Sequence, residues 1–226
     1  MIGFGRLIAI AFFCGFVNAP ALAGGDDSGA PHSVAAPPAP RMSTAEPSGR
    51  QPSALPPEAA APPAQTRRQK LDGLFARLAA STDVAESDGL VVAIDALQLE
   101  SGSDTGDFLM ARAIAALGTH NLEIARALLD KIVILQPEWA EAWNKRATVR
   151  FLMDDDKGSM ADIAQVLALE PRHFGALAGM AMILERDGFR DDALRAYRRA
   201  LEIAPRMASL RAAVDRLTAA AAGQSL

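Results

Sequence analysis

From residue 69 onward, apolar side chains recur at helical rather than strand spacing. Leu71, Leu74, Phe75 and Leu78 stand at i, i+3, i+4 and i+7 within residues 69–80, which predicts an amphipathic helix. Residues 84–99 predict a second one. Leu210, Ala213, Val214 and Leu217 share one face of a predicted helix over 207–221. Between these stretches lie Pro137, Pro171 and Pro205, spaced 34 residues apart. Proline lacks the amide proton a helix interior needs, so each one marks the end of a helix and a turn into the next.

Aligned on those prolines, three units fall into register: residues 106–139, 140–173 and 174–207. Small residues stand eighth in each unit (Ala113, Ala147, Ala181) and again twentieth (Ala125, Ser159, Ala193). Four residues after the second small position comes a large apolar group: Leu129, Ile163 and Tyr197. Another apolar residue, Leu135, Leu169 or Ile203, precedes each proline by two. The pattern predicts two antiparallel helices per unit. Small side chains sit where the backbones cross closely and large ones fill the gap a turn later. A single pair cannot bury its own apolar face, so the units are expected to stack into a solenoid. With residues 69–103 as a degenerate repeat and the last helix as a cap, nine helices are expected.

This arrangement resembles the tetratricopeptide-repeat (TPR) family, whose 34-residue helix–turn–helix carries W-x2-L-G-x2-Y, then A-x3-F, then P. Trp143 holds the tryptophan position of the second unit, and Ala193, Tyr197 and Pro205 match the second half of the third. Arg112 and Arg146 depart from the pattern's Leu, and Ala116 and Arg150 from its Tyr. The resemblance implies an all-α, short right-handed solenoid. It also implies a concave groove lined by the first helix of each pair. Carried over position by position, the groove includes Met110 and Ile114, then Asn144, Thr148 and Phe151, then Met182 and Glu185. Asn144 is the leading candidate, because its amide could pair with an extended peptide backbone. The family's carboxylate clamp, with Lys and Asn at fixed groove positions, is not reproduced.

The chain's start reads differently. Arg6, an apolar run from Leu7 to Ala19 and the sequence Ala21-Leu22-Ala23 predict a cleavable signal peptide over residues 1–23. Export to the periplasm is expected, with an uncleaved membrane anchor as the alternative. Residues 24–66 hold ten of the fourteen prolines and no aromatic residue, which predicts a disordered linker. The only cysteine, Cys14, falls in the signal peptide, so the exported chain would have neither a disulfide nor thiolate chemistry.

Candidate chemistry is sparse. A net charge of −4 makes no electrostatic case for nucleic acid. His120 and His173 fall at inter-helix turns without a ligand partner at metal spacing, and both are read as solvated. Asp154, Asp155 and Asp156 fail the calcium-loop pattern, since Gln165 stands where its glutamate belongs. They are read as capping the following helix. The Arg-rich stretch around Arg195, Arg198 and Arg199 is read as a solvated outer face. No nucleophile elbow, P-loop or dinucleotide fingerprint is present. A buried ionisable cluster would point to catalysis, and none is legible. The expectation is therefore a non-enzymatic protein without cofactor or metal, binding a protein or peptide. The alternatives are a structural subunit of a larger envelope complex and an enzyme with an unrecognised site.

Overall fold

The structure, a computed structural model, describes residues 63–223. The predicted signal peptide, Cys14 and the linker up to residue 62 lie outside the described residues. Within them the chain forms nine helices and no strand: α1 (Pro63–Ala80), α2 (Val84–Gln98), α3 (Asp104–Gly118), α4 (Leu122–Leu135), α5 (Ala140–Leu152), α6 (Asp156–Leu169), α7 (Phe174–Arg186), α8 (Arg190–Ile203) and α9 (Ala208–Gly223). Pro63 occupies the first position of α1, where its missing N–H costs nothing. The helix thus takes in the last four residues of the predicted linker.

The three units are helix pairs α3–α4, α5–α6 and α7–α8, each pair packed on itself and on its neighbour. The small residues sit in the seam of each pair: Ala113, Ala147, Ala181, Ala125, Ser159 and Ala193 are all buried. The Ser159 hydroxyl donates to the Ala147 carbonyl at 2.9 Å, so the two small positions of the second unit meet directly. Leu129, Ile163 and Tyr197 are buried beside them. Of the residues two before each proline, Ile203 packs on the core, whereas Leu135 and Leu169 are exposed.

The turns repeat as faithfully as the seams. Within each pair the chain reverses through one residue in the left-handed region: His120 (φ 57°), Asp154 (φ 64°) and Gly188 (φ 87°), spaced by 34. The amides that follow, on Asn121, Asp155 and Phe189, each reach back to the carbonyl five residues earlier, on Ala116, Arg150 and Leu184. That bond closes the last turn of the first helix. Asn121 and Asp155 then cap the next helix with their side chains, so the acidic run does cap α6 as expected. A Cβ at Gly158 would stand 2.1 Å from an Asp155 carboxylate oxygen, so a larger residue there would make that capping side chain shift. Between pairs, the residue before each proline leaves the α region, which a following proline ring disfavours (φ −136°, −138° and −123° at Gln136, Glu170 and Ala204).

Arg146 explains its departure from the repeat pattern. Its guanidinium holds both Asp162 oxygens (2.9 and 2.7 Å) on α6 and Asp130 (3.0 Å) on α4, and stacks over the Trp143 ring at 4.7 Å. Arg150 adds a second cation to the buried Asp162 at 3.0 Å. A leucine could fill this space but could not neutralise Asp162.

Two substitutions test the repeat geometry. His120→Gly relieves a left-handed residue and is expected to raise stability to urea unfolding by about 0.5–1 kcal/mol. Ala181→Leu overfills a helix crossing and is expected to lower it by about 1–3 kcal/mol.

Candidate functional site

Of the groove residues expected from sequence, Met110, Asn144, Thr148 and Phe151 are buried, and Ile114, Met182 and Glu185 keep solvent contact. Met110 packs in the core of the first unit with Leu129 and Trp139. Phe151 lies under the Arg186 guanidinium at 4.2 Å. Glu185 accepts from Arg216 of α9. The Asn144 amide donates to Glu141 at 3.1 Å, while its Oδ1 is buried without a hydrogen bond. Asn144 thus faces the protein interior, not an open groove.

Around Asn144 lies an ionisable cluster that sequence reasoning missed. Glu141 pairs with Lys145 at 2.8 Å and with His173 Nε2 at 2.9 Å, and all three are buried. The reading of His173 as a solvated turn residue is overturned: it caps α7. Its Nδ1 accepts from the Ala176 amide at 3.2 Å, so Nε2 carries the proton that it donates to Glu141. His120 is exposed, as expected. Asp95 of α2 completes the group. Burial, and then Glu141, push its carboxyl up to about 6 against the pull of Lys145 and His173. Burial would push the Glu141 carboxyl up as well, but Lys145 and His173 hold it down at about 2.

Asp95 belongs to the first hairpin, which the sequence places as a degenerate repeat. Its apolar face, Phe75 and Leu78 of α1 with Leu90 and Ile94 of α2, joins the core of the third unit and α9. Phe75 meets Phe174 edge to face at 6.5 Å, and Asp72 pairs with Arg172 at 2.7 Å. Arg172 also lies 4.4 Å over the Phe75 ring. The Gln98 carbonyl accepts from the Trp139 indole at 2.8 Å. Meanwhile α1 packs on α8, and among the described residues α2 makes no extensive pairing with α3 or α4, although Leu99 just after it packs on the first unit's core. One residue marks the departure from the repeat. Asp95 stands 34 positions before Leu129, where a stacking unit needs a large apolar side chain. A carboxylate in that apolar seam would be costly. In the observed position Lys145 and His173 offset only part of the cost of burial and of Glu141 nearby.

Two hollows indent the surface. One, of about 560 Å³, lies between α1 and α2 over Gly73, Leu74, Ala93 and Leu97. The other, of about 300 Å³, lies between the start of α3 and the end of α4, with Thr105, Gly106 and Leu135 in its wall. Neither is lined by the buried ionisable cluster. Among the described residues no group of acidic, histidine or cysteine side chains could hold a metal ion, and no helix is long and apolar enough to cross a membrane.

No family model matches the chain. A TPR repeat-containing protein of Rhizobium etli is 41% identical over 138 residues, which cover 61% of this chain and 68% of that protein. The chain belongs to the tetratricopeptide-repeat proteins. Solved structures similar to this TPR chain include the first TPR domain of Spaghetti (RPAP3) bound to the HSP90 peptide SRMEEVD. It has a TM-score of 0.50 and 16% identity, and covers 54% of this chain and 96% of the domain. MamA has a TM-score of 0.47 and 15% identity, over 68% of this chain and 81% of its own. At 16% identity the likeness to the Spaghetti domain shows the fold alone. That TPR fold is in general a module for protein–protein interaction.

The cluster predicts opposite pH effects from its two carboxyls. Asp95 is raised in the folded state, so the stability it contributes is present below about pH 4 and lost as pH rises through about 6. Glu141 is lowered, so its contribution is present above about pH 4.5 and lost as pH falls toward 2. Asp95→Asn is therefore expected to stabilise the protein at pH 7.5 by about 1–3 kcal/mol and to change little at pH 4, read from thermal unfolding at both. Glu141→Gln, which removes the buried carboxylate that Lys145 and His173 hold, is expected to cost about 3 kcal/mol at pH 7.5.

Proposed function

We propose that this TPR protein is an exported, non-catalytic adaptor of the cell envelope, holding a protein or peptide against the first helices of its repeats. The observation that carries the reading is the division between interior and surface. The buried ionisable groups satisfy one another and line neither hollow, while Ile114 on α3 and Met182 on α7 stay accessible. Partly exposed apolar side chains on a rigid repeat scaffold suit a protein partner. Methionine in particular adapts to varied apolar surfaces. The Spaghetti domain has a peptide bound. A bound partner here rests on the family's general use and on these residues.

Export rests on residues 1–23, and the periplasm is the proposed home. A full-length fusion to a reporter active only outside the cytoplasm is expected to be active, and its inactivity would remove the envelope from the proposal. The adaptor reading is tested by crosslinking in intact cells and affinity capture, comparing the wild type with Ile114→Glu plus Met182→Glu. A specific partner is expected to be captured and then lost at least about tenfold in the variant, as happens when charge enters an apolar contact. Full retention by a variant with unchanged helical circular dichroism would place the contact elsewhere. The nearest rival, a subunit held by its edges, is favoured by the exposed apolar residues of the first unit.

A further inference from the structure

The first hairpin lies where the repeat register places a ligand. Met110, Asn144 and Ala178 hold the same position on the first helix of three successive units. In the third unit Ala178 is 1% exposed, in a core shared with Phe75, Leu78, Leu90 and Ile94 of the hairpin. Phe174 at the start of α7 meets Phe75, and the partly exposed Met182 packs against the same core. On α5, Glu141 and Lys145 lie close enough to Asp95 of α2 to shift its carboxyl. The hairpin therefore covers part of the first-helix surface of the second and third units.

Its attachment differs from that of a repeat. The junctions between units are apolar: Ile132 and Val133 pack with Trp139 and Val149, and Ile163 and Val166 with Ala176 and Ile183. The hairpin junction holds polar groups that closure leaves unsatisfied. Ser87 Oγ, on the buried face of α2, and Asn144 Oδ1 on α5 are enclosed without a hydrogen bond. Such atoms weaken a contact, because water satisfies them when it opens. Asp95 faces Glu141 and Lys145 of α5 and His173 at the start of α7, and its carboxyl is pushed up to about 6. A raised carboxyl favours closure at low pH and opposes it as pH rises through about 6. The hairpin also makes no extensive pairing with α3 or α4. It reaches the first unit through residues 99–103, where Gly102 (φ 79°) turns the chain. Leu99 in the first unit's core and the Trp139 bond to the Gln98 carbonyl anchor that end as a pivot.

We propose that the hairpin of residues 63–98 is an autoinhibitory stand-in for the adaptor's ligand, closing the first-helix surface of the second and third units until an amphipathic helix of the partner displaces it. This rests on the adaptor reading and adds its regulation. The buried face of α2 shows what the displacing helix brings: apolar residues a turn apart, as Leu90 and Ile94 are. A helix without a carboxylate at the place of Asp95 avoids the repulsion from Glu141 and is favoured in the exchange.

Thiol labelling of the full chain at pH 7.5 tests the opening, in a Cys14→Ser background that leaves one introduced cysteine. Ala178→Cys, beneath the hairpin, is expected to react at least about tenfold faster than Ala125→Cys, which is 0% exposed in the seam of the first unit. Asp95→Asn removes the charge that opposes closure and is expected to slow Ala178→Cys about tenfold. Equal rates at the two positions, or no response to Asp95→Asn, overturn the proposal. A fluorescent peptide of residues 63–98 tests the surface beneath. It is expected to bind a full chain loosened by Phe75→Ala at least about tenfold more tightly than the wild type, read by anisotropy. Ile94→Ala, on the other helix of the hairpin, is expected to do the same, so a folding defect in one variant leaves the other to decide. A wild type that binds the peptide as tightly, or loosened chains that do not bind it, overturns the proposal. Neither readout needs the cellular partner. A hairpin that opens and yields to the peptide while no partner is captured in cells removes the adaptor reading. A captured partner with a hairpin that never opens removes the autoinhibition alone.

Discussion

Two helix backbones can cross closely in each unit only where the side chains between them are small. Ala113, Ala147 and Ala181 on the first helices, and Ala125, Ser159 and Ala193 on the second, supply that condition. The buried large residues a turn later fill the space beside each crossing. Overpacking a crossing would disturb the pair and, through the pair, both junctions, because each unit of a solenoid is supported only by its neighbours. The left-handed turn residue and the proline-terminated exit recur at the same spacing. Each unit is thus delivered to the next in the same orientation.

Where that condition fails, the chain does something else. The first hairpin has the length and amphipathicity of a repeat, but it carries Asp95 where the seam needs a large apolar group. Its apolar face closes on the third unit, and the carboxyl joins Glu141, Lys145 and His173. Two consequences follow from that docking. Asn144 and its neighbours, which family precedent would leave facing a ligand, are enclosed in a polar cluster. Among the described residues, the leading edge of the first unit is left without a helix packed along it.

The repeating part of this architecture was legible because it is periodic. Prolines at 34-residue spacing and small residues in register report helix ends and crossings, and both are local properties. The helix positions of the first hairpin were legible for the same reason. Its packing was not, since it depends on contacts such as Asp72 with Arg172 that join residues far apart in sequence. The one available signal was Asp95 itself, a charge standing in an apolar column. His173 was misread because its place at an inter-helix turn suggested solvent. Only the fold shows that it caps a helix and reaches Glu141 on the preceding pair. Arg146, a departure from the family pattern, turned out to hold two successive units together through Asp130 and Asp162.

The central claim is that the first hairpin docks on the third unit. A double-mutant cycle on Phe75 and Phe174, using Phe→Leu at each position and urea unfolding of the full chain, tests it most directly. The edge-to-face contact is expected to give a coupling of about 0.5–1.5 kcal/mol between the two substitutions. Effects that simply add, to within about 0.3 kcal/mol, would mean the rings do not meet, and would contradict the account.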